Sequence, residues 1–104
     1  MVELLSEKQA EDIILLDIGR VASFADYFVI ASAGTTRQME ALLDSIEDEL
    51  GRKSVAMRRE GASDSGWVLL DLGDVIVHLF DPATRAYYRI EELWSRGAAV
   101  VRFT

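Results

Sequence analysis

The chain has 104 residues, half of them hydrophobic, with no cysteine and a formal net charge of −7 from 18 acidic and 11 basic residues. This length suits one domain with one modest core, and the absence of cysteine excludes disulfides and thiolate metal sites. The acidic balance argues against a dedicated nucleic-acid-binding protein, because such proteins neutralise phosphates with a basic stripe.

The first predicted elements are two strands. Asp12–Asp17 (DIILLD) and Tyr27–Ser32 (YFVIAS) are short apolar runs that end near Gly19 and Gly34. Runs of this length and composition predict strands. Because both are apolar at successive positions, we expect interior strands of a sheet that is covered by helices.

The clearest predicted helix is Thr35–Leu50. Thr35 and Gln38 stand at the spacing of a capping box, and Gly51 supplies a stop signal. The apolar residues of this segment recur with the helical period: Met39, Leu42, Leu43, Ile46 and Leu50. The turn that precedes the helix has the position of an anion site, but it has a single glycine and no lysine, and ordinary N-capping is the better explanation of its threonines.

Three further strands are predicted in the second half of the chain. The first is Val55–Arg59. Trp67–Leu72 and Val75–Phe80 follow and are joined by Gly73-Asp74. This dipeptide suits a two-residue hairpin turn whose first position needs a positive φ.

After Asp81-Pro82, an amphipathic pattern that includes Tyr88, Glu91 and Trp94 predicts a short helix. The tail, residues 95–104, is compatible with an edge strand or with disorder. The order is therefore two strands, a helix, three strands and a helix. We predict an α/β (α+β) domain over residues 1–104, in which a mixed sheet of about five strands is flanked by helices.

The lone histidine, His78, stands in the apolar run of the last hairpin strand. Alternation places Trp67, Leu69 and Asp71 on one face of their strand, and His78 shares a face of the partner strand with Phe80. Either His78 is buried with a hydrogen-bond partner, or it belongs to a face that another molecule covers.

The segment from Glu60 to Thr84 contains five acidic residues and no lysine or arginine. A solvated acidic rim is one interpretation. However, Trp67 lies within the segment, and the Tyr87-Tyr88 pair and Trp94 follow it. Aromatic anchors beside carboxylates are the composition of a docking patch.

Signatures of catalysis are weak in this sequence. His78 has no second histidine or cysteine with which to form a metal cluster. Asp71 and Asp74 flank a turn and need not converge, and neither a nucleophile elbow nor a Walker loop is present. We therefore predict no catalytic residue, no metal and no cofactor.

Four segments in order and with matching gaps resemble the ribosomal silencing factor family, RsfS or Iojap. They are ADYFVIASAGTTRQ (25–38), EG (60–61), WVLLDLGDVIVHLF (67–80) and YYRIEELW (87–94). The resemblance implies a sheet with flanking helices related to the nucleotidyltransferase fold. The Gly-Ser turn and the Asp-x-Asp pair of those enzymes are missing here, so the resemblance implies the fold without its catalytic motif.

The resemblance further implies a translational repressor that docks on large-subunit ribosomal protein L14 and blocks joining of the small and large subunits. An acidic domain with aromatic anchors suits a basic ribosomal protein, and some family members are homodimers when free. The partner-binding residues expected on this interpretation are Trp67, Leu69, Leu70, Asp71, Asp74, His78, Tyr88, Glu91, Leu93 and Trp94. We expect His78 to orient the hairpin through a hydrogen bond.

Two alternatives stay open. One is a nucleotidyltransferase-like nucleotide-binding protein or enzyme that uses Asp71, Asp74 and the Gly34 turn. The other is a homodimeric scaffold whose acidic hairpin face is its own interface. Family members usually carry a longer helix before the first strand, whereas only about ten residues precede Asp12 here, which leaves the N-terminal packing open.

The sequence also predicts the compartment. No apolar stretch reaches the roughly 18 residues needed to span a bilayer. The N-terminal dozen residues lack the basic and apolar regions of a secretory signal. We therefore expect a cytoplasmic protein with no membrane partner and no direct nucleic-acid specificity.

Overall fold

The computed structural model describes residues 1–94 and 99–103. Within them, six strands form one mixed sheet in the order β3-β4-β5-β2-β1-β6, with β2 parallel to β5 and the other neighbours antiparallel. The elements in chain order are α1 (Val2–Glu7), β1 (Glu11–Asp17), β2 (Tyr27–Ser32), α2 (Thr36–Arg52), β3 (Arg58–Glu60), β4 (Trp67–Asp71), β5 (Val75–Phe80), α3 (Pro82–Tyr88), α4 (Ile90–Trp94) and β6 (Ala99–Arg102). The predicted α+β class, a mixed sheet flanked by helices, is confirmed.

The structure decides what the sequence left open at both ends of the chain. A short helix, α1, precedes β1 and packs against the first strand and α2 through the fully buried Leu5. In the tail, β6 pairs antiparallel with β1, so the edge strand forms over Ala99–Arg102. Residues 95–98 and 104 of the tail lie outside the described residues.

The third strand begins later than predicted, at Arg58, not Val55. Residues beyond α2 are still turning: Val55 N donates to Leu50 O at 2.9 Å, and Ser54 adopts a left-handed φ of 56°. The chain therefore reaches the extended conformation that a strand requires only after this turn. A third strand is therefore present, as predicted, but it spans Arg58–Glu60 and not Val55–Arg59.

The two faces of the sheet carry separate cores. Helices α1 and α2 cover one face, where Leu43 and Ile46 belong to the same buried cluster as Val77 and Leu79. On the other face, α3, α4 and the loop after β1 cover a cluster that includes Phe28, Phe80 and Ile90. The two cores explain why the central strands are apolar at successive positions.

Half of the predicted capping box of α2 is present. Thr35 Oγ1 accepts a hydrogen bond from Gln38 N at 3.0 Å, whereas Gln38 Oε1 accepts one at 2.8 Å from Gly34 N, the residue before the N-cap, and not from Thr35 N. Gln38 Nε2 also donates to Gln9 O at 2.8 Å, which ties the end of α1 to the start of α2. No described helix is both long enough and apolar enough to cross a membrane.

Gly61 has a backbone conformation that favours glycine. Its φ is +95°, and a Cβ there would lie 2.5 Å from Trp67 O. We expect Gly61→Ala to lower the free energy of unfolding by at least about 1–2 kcal/mol, the usual cost of left-handed backbone for a residue with a Cβ. Urea denaturation of the purified protein measures this change.

Gly51→Ala is the matched control for this substitution. Gly51 lies in the last turn of α2, and among the described residues no atom lies within 4 Å of the place that a Cβ would take. Alanine should raise the free energy of unfolding there by up to about 1 kcal/mol, because it has the higher helix propensity. Equal effects of the two substitutions would contradict the strain assigned to Gly61.

Candidate functional site

The β4–β5 hairpin forms as the sequence predicts. Leu72 N donates to Val75 O at 2.9 Å across a two-residue turn, and Gly73 has a φ of +92°. Asp71 Oδ1 accepts a hydrogen bond from Gly73 N at 2.9 Å and so fixes the turn. Asp74 is exposed in the turn itself, where its carbonyl oxygen accepts from Asp26 N.

The hairpin brings Trp67, Leu69 and Asp71 to one face of the sheet, where all three are half-buried. Across the strand pair they lie opposite Phe80, His78 and Ile76, respectively. The predicted alternation is therefore observed.

Leu70 points to the other face of the sheet. It is fully buried beneath the helical layer, in the same cluster as Val68 and Val77. A partner cannot reach this side chain while the core is intact. Leu70, although expected to bind a partner, therefore has the position of a core residue.

Trp67 lies at the centre of an aromatic cluster. Its ring centroid is 4.9 Å from that of Phe80 and 4.9 Å from that of Tyr88, and Tyr88 in turn meets Tyr87 edge-on at 5.0 Å. Tyr87 is 81% exposed and Tyr88 51% exposed. Trp67 and the two tyrosines line an open cleft of about 550 Å³.

A second aromatic group surrounds Trp94, which is half-buried. Its ring centroid lies 5.2 Å from Phe28 and 5.8 Å from Phe24, and the neighbouring Leu93 is exposed. Phe24 is also exposed, and no sequence pattern marks it because it lies in the irregular segment between β1 and β2. Phe28 contacts the His78 ring at 4.6 Å, so the two aromatic groups form one continuous layer.

His78 is buried, with 4% of its surface exposed. Its Nδ1 accepts a hydrogen bond from Trp67 Nε1 at 3.2 Å, so the expected hydrogen bond of this histidine is present, with the indole as donor. No hydrogen-bond partner of Nε2 is found among the described residues. Burial lowers the pKa of His78 to about 4, and the ring is therefore neutral near pH 7.

This pKa shift predicts a pH-dependent stability. The ordinary pKa of the group is 6.5, so between pH 6.5 and about 4 the unfolded chain binds the proton more readily than the folded one. The contribution of neutral His78 is complete above pH 6.5 and is lost as the pH falls toward 4, with a total of about 3 kcal/mol. Urea denaturation at pH 7.5, 5.5 and 4.5 should show this loss in wild type. It should be absent in His78→Leu, and an equal loss in both proteins would contradict the assignment.

A buried ion pair that was not predicted from the sequence holds α3 and α4 together. Arg85 is 7% exposed; its Nε donates to Glu91 Oε1 at 3.0 Å and its Nη1 donates to Ser32 Oγ at 2.9 Å. Glu91 Oε2 is buried without a hydrogen-bond partner among the described residues. Glu91, expected to contact a partner, thus binds Arg85 within the fold. A lone arginine in a helical pattern carries no signal of such burial.

Charge around the hairpin face is predominantly acidic. Glu60 at the end of β3 and Asp64 in the connection to β4 are both exposed. Arg58 of the neighbouring strand β3 lies 3.7 Å from Asp71, measured from Nη2 to Oδ2, and offsets part of the negative charge at this edge of the hairpin. The cation-free segment of the sequence therefore borders the aromatic cluster directly.

The residues that the enzyme alternative requires are not brought together. Because β2 and β5 are parallel, Gly34 follows the C-terminal end of β2, whereas Asp71 and Asp74 lie beside the N-terminal end of β5. These ends are separated by the length of a strand, about 20 Å at the usual rise per residue. Among the described residues, no group of three or more acidic or histidine side chains is placed to hold a metal ion.

Fold and site together define a small α+β domain with an exposed aromatic surface bordered by carboxylates, a composition found at protein–protein interfaces. A family model described as "Ribosomal silencing factor during starvation" matches residues 1–102. The chain belongs to this ribosomal silencing factor (RsfS) family, as the sequence motifs had indicated.

Individual relatives agree with this assignment. The chain is 39% identical over 89 residues to the ribosomal silencing factor RsfS of Bacillus subtilis, covering 85% of this chain and 75% of that protein. A crystal structure of a Chromobacterium violaceum protein superposes with a TM-score of 0.83 at 38% identity, covering 90% of this chain and 79% of that one. The mouse protein named mitochondrial assembly of ribosomal large subunit protein 1 is 30% identical over 99 residues, which are 91% of this chain but only 43% of that protein.

Proposed function

We propose that residues 1–104 act as one ribosomal silencing factor domain, a translational repressor that docks on ribosomal protein L14 of the large subunit and blocks joining of the small subunit. Membership of the RsfS family supports the silencing role. The name of the mouse relative, which refers to the large ribosomal subunit, supports the choice of subunit. The action is steric, requires no bond to be made or broken, and takes place in the cytoplasm.

The observation that carries the proposal is an aromatic and acidic surface, here called the docking face. It consists of Trp67, Leu69, Asp71, Tyr87 and Tyr88. The two tyrosines are exposed, and the Trp67 ring packs between Tyr88 and Phe80. Such rigid aromatic side chains supply large contact areas at low entropic cost and commonly dominate binding energy.

The charge of the chain fits a basic partner. The formal net charge is −7, and no lysine or arginine lies between Glu60 and Thr84, the segment that contains Trp67, Leu69 and Asp71. Opposite potentials accelerate encounter and favour the correct partner over acidic ones. We therefore expect association with the ribosome to weaken as ionic strength increases.

Other residues expected at the interface take different roles in this proposal. Leu93 and Trp94 extend the apolar surface at the far end of the aromatic layer, and Asp74 adds charge at the tip of the hairpin. We further propose that the free protein forms a homodimer, as the family resemblance implies, and that ribosome binding competes with any self-association through the docking face.

Sucrose-gradient sedimentation with purified large and small subunits tests this function. The protein should migrate with the large subunit and reduce the joined particle in proportion to its occupancy. Migration with the small subunit alone, or no effect on joining at saturating concentration, would contradict the proposal. A pull-down with purified L14 tests the finer claim, because co-migration without L14 binding would place the contact elsewhere on the large subunit.

A further inference from the structure

We infer that His78 is a positioning residue for Trp67: its Nδ1 binds the indole N–H and fixes the ring in the docking face. The partner then contacts the indole ring of Trp67 and forms no hydrogen bond with the indole N–H. This inference rests on the proposed function, because it concerns the orientation of a residue through which the domain is proposed to dock.

Three contacts define the position of the indole. Phe80, directly opposite on β5, stacks beneath it at a centroid distance of 4.9 Å and an interplanar angle of 27°. Tyr88 of α3 bounds it at 4.9 Å. His78, the diagonal neighbour across the strand pair, accepts its N–H at 3.2 Å. The ring contacts set the plane of the indole, whereas the hydrogen bond directs its N–H edge toward β5.

The hydrogen bond also determines the tautomer of the histidine. Since Nδ1 accepts, the proton of the neutral ring is on Nε2. That nitrogen is buried and has no hydrogen-bond partner among the described residues. A buried N–H without a partner disfavours folding, and an apolar side chain at position 78 would avoid this cost. Against this cost, Nδ1 satisfies the Trp67 indole N–H, which an apolar side chain would leave without an acceptor. The two contributions to folding stability oppose each other, so stability alone gives little reason for a histidine here, whereas positioning of Trp67 does.

Two substitutions of similar size separate positioning from packing. In His78→Asn, the amide oxygen can take the place of Nδ1 as the acceptor for Trp67. In His78→Leu, the acceptor is lost. The asparagine brings a buried amide NH2 with it, so we expect His78→Asn to be no more stable than His78→Leu. Binding should follow the opposite order, because only asparagine holds the indole.

Affinity for purified large subunits and stability in urea are measured for both variants. We expect His78→Asn to bind within about 3-fold of wild type and His78→Leu to bind at least about 10-fold more weakly, the scale of one lost orienting hydrogen bond. If affinity instead follows stability, so that His78→Leu binds as well as wild type, the positioning role is overturned.

Proton–nitrogen NMR of the indole N–H tests the hydrogen bond without the ribosome. The Trp67 resonance, assigned with Trp94→Phe, should move upfield in His78→Leu and stay near its wild-type position in His78→Asn. An unchanged resonance in His78→Leu overturns the inference. If wild type does not bind large subunits at all, the proposed function fails together with the docking role of Trp67. If wild type and His78→Leu bind equally, only the positioning role fails.

Discussion

Replacing Trp67 by alanine is expected to weaken binding to the large ribosomal subunit by at least about 30-fold and to restore subunit joining in the sedimentation assay. A half-buried tryptophan at the centre of an aromatic cluster has the features of a residue that dominates an interface, for which truncation typically costs about 2 kcal/mol or more. The dissociation constant is measured with purified subunits at fixed salt concentration.

Tyr27→Ala is the aromatic control for this experiment. Tyr27 is also partly exposed, but it lies opposite Val75 and borders the groove beside α1 on the other face of the sheet. Its truncation should leave ribosome binding unchanged. Because Trp67 also packs on Phe80, urea denaturation must show that Trp67→Ala is folded under the conditions of the assay. A folded Trp67→Ala that binds as wild type would falsify the docking face.

The charge component of the docking face is tested by Asp71→Asn. Asparagine keeps an oxygen that can accept from Gly73 N in the turn while removing the negative charge. We expect a smaller, salt-dependent loss of affinity, about 2- to 5-fold at low ionic strength, mainly in the association rate. Asp44→Asn on the exposed face of α2 removes the same charge at a distance from the docking face, and it should have no comparable effect.

Replacing Arg85 by methionine is expected to lower the free energy of unfolding by about 3–5 kcal/mol, the usual cost of removing one partner of a buried ion pair. Glu91 would keep a largely buried carboxylate without its cation, and Ser32 would lose a hydrogen bond. Arg89, which separates α3 from α4, already adopts a left-handed φ of 49°. Because the Arg85–Glu91 ion pair joins α3 to α4, its loss should also loosen Tyr87 and Tyr88 at the end of α3 and weaken docking.

Two comparisons identify the cause of this effect. Arg52→Met removes one of the two cationic partners of Glu49, the other being Lys53, in exposed pairs at the end of α2. Solvent screens these charges, so we expect little change in stability. Combining Arg85→Met with Glu91→Leu removes both charges and should recover most of the lost stability. Urea denaturation of these three variants and wild type measures the differences. The assignment is wrong if Arg85→Met costs no more than Arg52→Met.

Local signals in the sequence determined much of the framework. Three features depend on residues close together in the chain: the apolar runs of β1, β2, β4 and β5, the Thr35 cap of α2 and the Gly73-Asp74 turn. Side-chain alternation then placed Trp67 and Asp71 on one face. The motifs in their order also indicated the family. These features were predictable because backbone conformation and side-chain period are set by neighbours in sequence.

Tertiary contacts decided the remaining features. The edge strand β6 forms because β1 offers it an unpaired side, and Arg85 is buried because Ser32 and Glu91 meet it from distant elements. The parallel pairing of β2 with β5 separates Gly34 from the hairpin carboxylates, which no local pattern reveals. In each case the contacting residue lies on another element. The contact therefore depends on how the elements pair and pack, which the neighbouring residues in sequence do not specify. The sequence thus determined which residues of the hairpin share a face, and only the tertiary structure decided that His78 holds Trp67 and that Glu91 holds Arg85.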